Sequence, residues 1–266
     1  MFEEYDRPLP DLDAWLARIG LYRRESPCLD YLNRILKAHQ LAVPFENLTP
    51  YDEGRQVSLE IPALFDKIVK RRRGGYCFEL NGLLCRALQD LGFDASSCMV
   101  RIVRGKNFIG PIMHRGIIVR LEDGEYYCDV GNGGHQPEGA VLIRDGAESR
   151  WKEGFRVRRM NEWWWELAVE GENGWEPYVQ FYTMPQHPVD FIALNEKCSG
   201  NPASTFVQRH FLHRRTPDGS VFLMNRSFSR VRGGVRSDEE LQSVDELRKV
   251  LEEDFGLNTE GIPLKL

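Results

Sequence analysis

The first ninety residues carry apolar side chains at the three- and four-residue spacing of amphipathic helices. Ser26 and Pro27 predict the start of the second helix, as an N-cap and a first helical residue. A helical region is therefore expected over residues 1–92. Its apolar stripes are Leu12, Trp15, Leu16 and Ile19; Leu29, Leu32, Ile35 and Leu36; Ile61, Leu64, Phe65 and Ile68; and Leu80, Leu83, Leu84, Ala87, Leu88 and Leu91.

From about Ala95 the pattern changes to the two-residue alternation that is typical of strands. The strongest signal is a hairpin, with strands over 116–121 and 125–130 and with Asp123-Gly124 as its turn. Further short strands follow as far as Tyr182. We expect an antiparallel β-barrel or sandwich over residues 93–200, and the pattern indicates a loop over 195–202.

The last part of the chain, residues 201–266, mixes both patterns. It begins with a hairpin, whose strands are expected within 205–214 and 220–225. A final helix follows, because Ser243 and Glu246 have the spacing of a capping box. The whole chain is thus predicted to be α+β, with helical, barrel and mixed parts in that order.

Composition narrows the possible classes of protein. Of the 266 residues, 42% are hydrophobic and 28% are charged, which is typical of folded globular proteins. A net charge of −5 predicts no nucleic-acid partner, and the lack of a long apolar run predicts no membrane span. The acidic first residues do not resemble a secretion signal, and six scattered cysteines favour neither a disulfide scaffold nor a metal site. We expect a cytoplasmic protein without a bound metal.

Cys77 is the candidate nucleophile. It stands at the start of the fourth helix, where backbone N–H groups and the helix dipole stabilise a thiolate. Gly74 and Gly75 permit a tight turn that presents the sulfur. The alternative is a cysteine packed in the core without a chemical role, which is the more common situation for a free cysteine.

A nucleophilic thiol needs an imidazole to accept its proton and a third group to orient that imidazole. His114 begins the first hairpin strand, and Asp129 ends the second. With Asp123-Gly124 as the turn, Asp129 pairs with Ile118, which lies on the face of His114 but about 13 Å farther along the strand. A bulge, a wider loop or strong twist is then needed for contact. This pattern predicts the shared face and leaves the contact open.

Three sequence blocks stand in a specific order: VPFENL at residues 43–48, RGGYC at 73–77 and, after His114, YYCDVG at 126–131. Their order, spacing and flanks resemble the arylamine N-acetyltransferase family over residues 29–134. The resemblance implies a cysteine-protease-like core in which Cys77 accepts the acetyl group, His114 is the base and Asp129 orients it. It also implies acetyl-CoA as donor, an aromatic amine or hydrazine as acceptor, a ping-pong mechanism, and an α/β lid over residues 201–266.

The same resemblance suggests residues that contact the substrates. Phe45 matches an aromatic residue that lines the acceptor pocket. Asn132 replaces the second aromatic residue of a common Asp-x-Gly-Phe-Gly pattern, so a more polar acceptor pocket is expected. For coenzyme A we expect contact with the loop over 105–112, and with Gly110 and Pro111 in particular.

Two other functions are compatible with the same residues. A Cys-His-Asp triad also serves hydrolases and transglutaminase-like enzymes, in which water or a protein amine replaces the arylamine. A barrel that binds an aromatic ligand without catalysis would keep Cys77 as a core residue. Among neighbouring residues, the cationic run 70–73 is interpreted as complementing a helix dipole, whereas Glu79 and Asn81 fit either a helix surface or a supporting role.

Overall fold

The computed structural model describes residues 2–106, 108–151 and 153–266. Their order along the chain is helical, then mostly β, then mixed, and the α+β prediction is confirmed. The helices are α1 Leu12–Arg18, α2 Leu29–Ala42, α3 Leu48–Tyr51, α4 Ile61–Phe65, α5 Cys77–Asp90, α6 Ile192–Gly200, α7 Thr205–Gln208 and α8 Val244–Glu253. None of them is long and apolar enough to cross a membrane.

The strands form two antiparallel sheets. Eight strands make the first sheet in the order β4-β3-β2-β1-β8-β7-β6-β5, and four make the second in the order β12-β11-β10-β9. The strands are β1 Asp94–Ile102, β2 His114–Leu121, β3 Gly124–Cys128, β4 Val141–Leu142, β5 Glu148–Arg150, β6 Gly154–Arg159, β7 Trp164–Gly171, β8 Gly174–Tyr182, β9 Phe211–Thr216, β10 Gly219–Met224, β11 Ser227–Arg232 and β12 Val235–Glu240.

The helical region follows the predicted stripes, with one correction. The second helix begins at Leu29, and the sulfur of Cys28 accepts the Tyr31 N–H as its N-cap. The cap predicted at Ser26 with Pro27 as first helical residue was wrong by two positions. The third stripe forms α4 and a π-helical turn over Asp66–Lys70, after which the chain reaches α5.

The first sheet is a nearly closed barrel, because its outer strands β4 and β5 contact each other. Its hairpin turn is Glu122-Asp123, since Leu121 pairs with Gly124. The predicted turn at Asp123-Gly124 was therefore wrong, because the observed turn lies one residue earlier in the chain. The observed register places Asp129 level with Gly116, two residues from His114 and on the same face.

The second sheet packs against α8. Ser243 caps this helix as predicted, by accepting the Glu246 N–H at 3.2 Å. Strands β11 and β12 were not predicted, and neither was α6, which occupies most of the expected loop over 195–202. All six residues of β12 are exposed. The predicted domain boundaries after residues 92 and 200 remain predictions.

Candidate active site

Cys77 is the first residue of α5 and is 3% exposed. The turn before it packs against the loop that contains Phe45. Glu46 N–H donates to the Gly75 carbonyl at 2.9 Å, and a Cβ on Gly74 would lie 2.1 Å from the Pro44 carbonyl oxygen. Only glycine fits at position 74, so the two loops fix the start of the helix together.

Buried ion pairs support this turn. Arg73 pairs with Glu46 at 3.0 Å, and Lys67 pairs with Glu79 at 2.7 Å. The other Glu79 oxygen accepts the Tyr76 N–H at 3.0 Å. Burial acts to raise the pKa of Glu46, but Arg73 and Lys67 outweigh burial and lower it. Arg73 is thus a buried support of the turn, which corrects its interpretation as part of a cationic helix end.

His114 lies against Asp129. Its Nε2 is 2.7 Å from Asp129 Oδ2, and both side chains are buried. This contact leaves Nδ1 as the imidazole nitrogen available to Cys77, whose side chain also interacts with His114. Burial acts to lower the pKa of His114, but the charges of Asp129 and then Cys77 outweigh burial and raise it to about 10. The structure therefore joins His114 to Asp129 directly and places Cys77 close enough for its charge to act on His114.

The Asp129 carboxylate receives hydrogen bonds at both oxygens. Oδ1 accepts from Asn81 Nδ2 at 2.9 Å and from Gly131 N–H at 2.8 Å, whereas Oδ2 accepts from Tyr127 hydroxyl at 3.0 Å as well as facing His114. Burial acts to raise the pKa of Asp129, but the positive charge and hydrogen bond of His114, followed by the other donors, lower it. The carboxylate is held ionised and in one orientation.

Asn81 stands one helical turn after Cys77 and is fully buried. Besides bonding Asp129, its Nδ2 donates to the Arg115 carbonyl at 2.5 Å, and its Oδ1 accepts the Val130 N–H at 3.0 Å. The sequence left open whether Asn81 lies on a helix surface or supports the site, and these hydrogen bonds show that it supports the site. Tyr127, by contrast, was missed, although strand alternation places it on the face of Asp129.

Gly131 lets the loop after β3 approach the nucleophile. A Cβ at this position would lie 2.8 Å from Cys77 Cα and 3.0 Å from Asn81 Nδ2. Any side chain would push the loop away from α5. The close approach allows a buried thiol, an imidazole and a carboxylate to act on one acyl group, with α5 supplying backbone donors at its start.

A cavity of about 490 Å³ begins next to this loop, at Gly133. Three of its lining residues are cations, Arg104, Arg215 and Arg236, and several others are aromatic. The aromatic lining residues are Trp151, Phe155, Phe211 and Phe222. A space with this lining accommodates an apolar chain or ring, and Glu138 and Glu153 in the same lining offset part of the positive charge of the arginines.

Phe45 and Asn132 lie beside this cavity and outside its described lining. The Phe45 ring is buried behind Phe211, at a centroid distance of 5.6 Å, and behind Gly133. Asn132 is half-buried, and its Nδ2 is enclosed without a hydrogen-bond partner among the described residues. The sequence indicated the polar replacement at Asn132, whereas the unpaired amide appears only in the structure.

The structure supports the predicted coenzyme A loop less directly than it supports the other predicted residues. Of its residues, Gly110 is buried and Pro111 is exposed, and neither belongs to the described lining of the cavity. Asn107, in the same loop, lies outside the described residues. Contact of Gly110 and Pro111 with coenzyme A stays a prediction.

Known proteins are similar to this chain in sequence and in fold. The sequence model of the N-acetyltransferase family matches residues 28–263. The arylamine N-acetyltransferase of Mycolicibacterium smegmatis is 32% identical, with 93% of this chain and 92% of that protein covered. The arylamine N-acetyltransferase structure from Salmonella typhimurium has a TM-score of 0.89 at 28% identity and covers 98% and 96%. The Mycobacterium marinum enzyme in complex with CoA has a TM-score of 0.85 at 30% identity and covers 94% and 93%.

Proposed function

This chain belongs to the arylamine N-acetyltransferase family and is an acetyl-CoA-dependent acetyltransferase, and we propose that Cys77, His114 and Asp129 carry its reaction. The observation that carries this proposal is the 2.7 Å contact between His114 and Asp129 beside a buried thiol at a helix start. The acceptor is an aromatic amine or hydrazine, and the two substrates react in turn in a ping-pong mechanism.

In the first half-reaction acetyl-CoA supplies an acetyl thioester. The Cys77 thiolate forms a bond to the acetyl carbon, and the bond from that carbon to the coenzyme A sulfur breaks. Protonated His114 donates its proton to the leaving sulfur, which balances the charge. Backbone N–H groups at the start of α5 stabilise the negative oxygen that develops on the acetyl group.

In the second half-reaction Cys77 carries the acetyl group. The amine nitrogen forms the amide bond, the bond between carbon and Cys77 sulfur breaks, and neutral His114 accepts the proton that the amine loses. The Cys77 thiolate and protonated His114 are thereby restored. Asp129 keeps Nε2 of the imidazole as its hydrogen-bond donor throughout, so Nδ1 always faces the thiol and the substrate.

The cavity beside Gly133 receives the substrates in this proposal. Its aromatic residues suit an aryl ring or the apolar part of pantetheine. Arg215 and Arg236 already pair with Glu138 and Asp238, at 2.7 and 2.8 Å, so Arg104 is the lining arginine that suits a phosphate group. Phe45 shapes the acceptor side from behind Phe211, and the enclosed amide of Asn132 makes that side more polar. Gly110 and Pro111 would contact coenzyme A where the loop borders the rim.

Residues 201–266 act as a lid over this cavity in the same proposal. Strand β9 supplies Phe211, His213 and Arg215 to the cavity wall. Backbone hydrogen bonds in both directions join His213 to Phe45, at 2.8 and 3.0 Å. The six cysteines are all free, which supports a reducing, cytoplasmic setting.

Intact-mass spectrometry after brief incubation with acetyl-CoA tests the proposal. We expect one added acetyl group, mapped to Cys77 by peptide analysis, that disappears when an arylamine or hydrazine is added and reappears on the amine. The Cys77→Ala variant should gain no acetyl group, whereas Cys28→Ser, which removes the exposed thiol, should behave as wild type. An acetyl group that passes to water equally fast with or without the amine would favour the hydrolase. Absence of any adduct would favour a non-catalytic barrel.

A further inference from the structure

A second cavity, of about 260 Å³, lies beside α5. Its wall includes Gly82 and Cys85 of that helix, Ser97 of β1 and Arg115 of β2. Among the described residues it shares no lining residue with the larger cavity, and it includes none of the three proposed catalytic residues. This smaller cavity is therefore a separate space, and the proposed acetyl transfer makes no use of it.

Arg115 brings a positive charge into the wall of the smaller cavity. Its side chain is 3% exposed, and its Nε and Nη2 both donate to the Ser97 hydroxyl, at 2.9 and 2.7 Å. The Phe191 ring covers the guanidinium at 4.6 Å. Within residues 2–106, 108–151 and 153–266, Arg115 forms no ion pair and Nη1 has no acceptor. A buried charge without a counter-ion costs several kcal/mol, and Arg115 also has one nitrogen without an acceptor, so there is room for a negative partner at Nη1.

Arg18 is a second buried arginine, and it also forms no ion pair among the described residues. Its three nitrogens donate to the carbonyl oxygens of Ile68, Ala42 and Arg73, at 2.9, 2.8 and 3.4 Å respectively. Each nitrogen of Arg18 therefore has an acceptor. The difference at Arg115 Nη1 is therefore specific to the smaller cavity and is not a general property of buried arginines here.

The groups around Arg115 compensate its charge only in part, because burial lowers the pKa of Arg115 although the charges of Cys85, Cys77, Cys98 and Asp6 act to raise it. Burial raises the pKa of the Cys85 thiol, so the thiol stays protonated and supplies no negative charge. Asp6 is the acid in the described lining, and Arg86 holds it at 3.4 Å while also pairing with Asp90 at 2.5 Å. His187, exposed at the rim, adds no negative charge.

Gly82 makes room for the guanidinium. A Cβ at position 82 would lie 2.8 Å from Arg115 Nη1, so the helix is shaped to admit this group. We propose that the smaller cavity binds a small anion, chloride or a short carboxylate, with Arg115 Nη1 as its main donor. The anion supplies the missing negative charge and forms a charge-assisted hydrogen bond.

Thermal unfolding tests this site, with chloride or formate replacing HEPES at constant ionic strength. We expect a saturable rise in Tm, of roughly 5 °C or more at one hundred times the Kd. Arg115→Gln removes the charge and should abolish the rise. Gly82→Ala keeps the charge but displaces Nη1, and it should abolish the rise too. Arg120→Gln, on the same strand with its side chain partly exposed, should keep it.

A crystal soaked in bromide gives a second measurement, in which we expect an anomalous peak at Arg115 Nη1. The proposal is overturned if wild type shows no saturable rise with either anion and no bromide peak, because the cavity then holds water only. A rise that Gly82→Ala retains in full overturns it as well, since the effect is then one of general salt. The Gly82→Ala comparison decides the matter if Arg115→Gln does not fold.

Discussion

The amide of Asn81 lies 2.9 Å from the carboxylate of Asp129, so the helix that carries Cys77 also holds the group that pairs with His114. The same amide bonds the Arg115 carbonyl, directly after His114. One helical side chain thereby ties together the ends of the two strands that supply His114 and Asp129. A movement of α5 relative to the barrel must disturb all three groups at once.

Asn81→Ala should lower both stability and activity. The change leaves the buried Arg115 carbonyl and Val130 N–H without their partner, and each such loss costs about 1–3 kcal/mol. We expect a fall of roughly 2–5 kcal/mol in the free energy of unfolding, measured with urea, and a fall in kcat/KM. The matched control is Gln89→Ala on the same helix, which removes one partly buried hydrogen bond to the Ala95 carbonyl and should cost less. Equal losses for the two variants would contradict the role of Asn81.

Asp129→Asn should reduce acetyl transfer by roughly a thousandfold or more, by analogy with the orienting carboxylate of other triads. An amide that donates to Nε2 forces the imidazole proton onto Nδ1, which then cannot accept a proton from Cys77 or the amine. Single-turnover acetylation of Cys77 measures this effect directly. Tyr127→Phe removes only one donor to the same carboxylate and should cost less than tenfold. A mild effect of Asp129→Asn would remove Asp129 from the triad.

Asn132→Phe should raise kcat/KM for hydrophobic arylamines severalfold, because an aromatic pair contributes about 0.5–1.5 kcal/mol beyond burial. The substitution also removes an enclosed amide without a partner. The rate of Cys77 acetylation by acetyl-CoA should stay nearly unchanged. Asn132→Leu separates loss of the amide from stacking, since it supplies apolar surface without a ring. If both half-reactions change equally, Asn132 shapes the triad instead of the acceptor pocket.

His39→Phe should stabilise the protein and make its stability less sensitive to acid. His39 is fully buried on α2, and neither ring nitrogen has a partner among the described residues. Burial, with a smaller contribution from Arg18, lowers the pKa of His39 to about 3. Between about pH 6.5 and 3 the unfolded chain therefore binds a proton that the folded chain does not, and stability falls with falling pH.

Urea unfolding at several pH values measures this difference. The contribution of His39 has a slope of at most about 1.4 kcal/mol per pH unit, and His39→Phe should remove it. His187→Gln, at an exposed histidine, should leave the pH dependence unchanged. An identical dependence in wild type and His39→Phe would show that His39 has another environment in solution.

Sequence predicted the elements whose signals are local. Helices α1, α2, α5 and α8 show clear stripes or caps, and the β2–β3 hairpin shows alternation. Helix α6 has no apolar stripe, and long-range contacts support it, among them a bond from Asn195 to the Val57 carbonyl. Strand β12 consists mostly of charged residues, so no alternation marks it.

The site shows the same division between local and long-range information. The positions of Cys77, His114 and Asp129 followed from motif order, but their contact depended on a hairpin turn that lies one residue earlier than expected. The distances around Gly131 and the unpaired Nη1 of Arg115 arise where segments far apart in sequence meet. Spacing along one chain carries no information about such approaches.

The exposed outer strand β12 has a consequence for behaviour at high concentration. An uncovered strand edge offers unpaired backbone groups to a second copy of the chain. Four of the six residues in Val235–Glu240 are charged, and a neighbouring strand would have to strip water from them before it could pair. Replacing Asp238 and Glu240 by valine halves the number of charged residues and lowers this barrier. The doubly substituted protein should form large aggregates, visible by light scattering, at concentrations where the wild type stays clear.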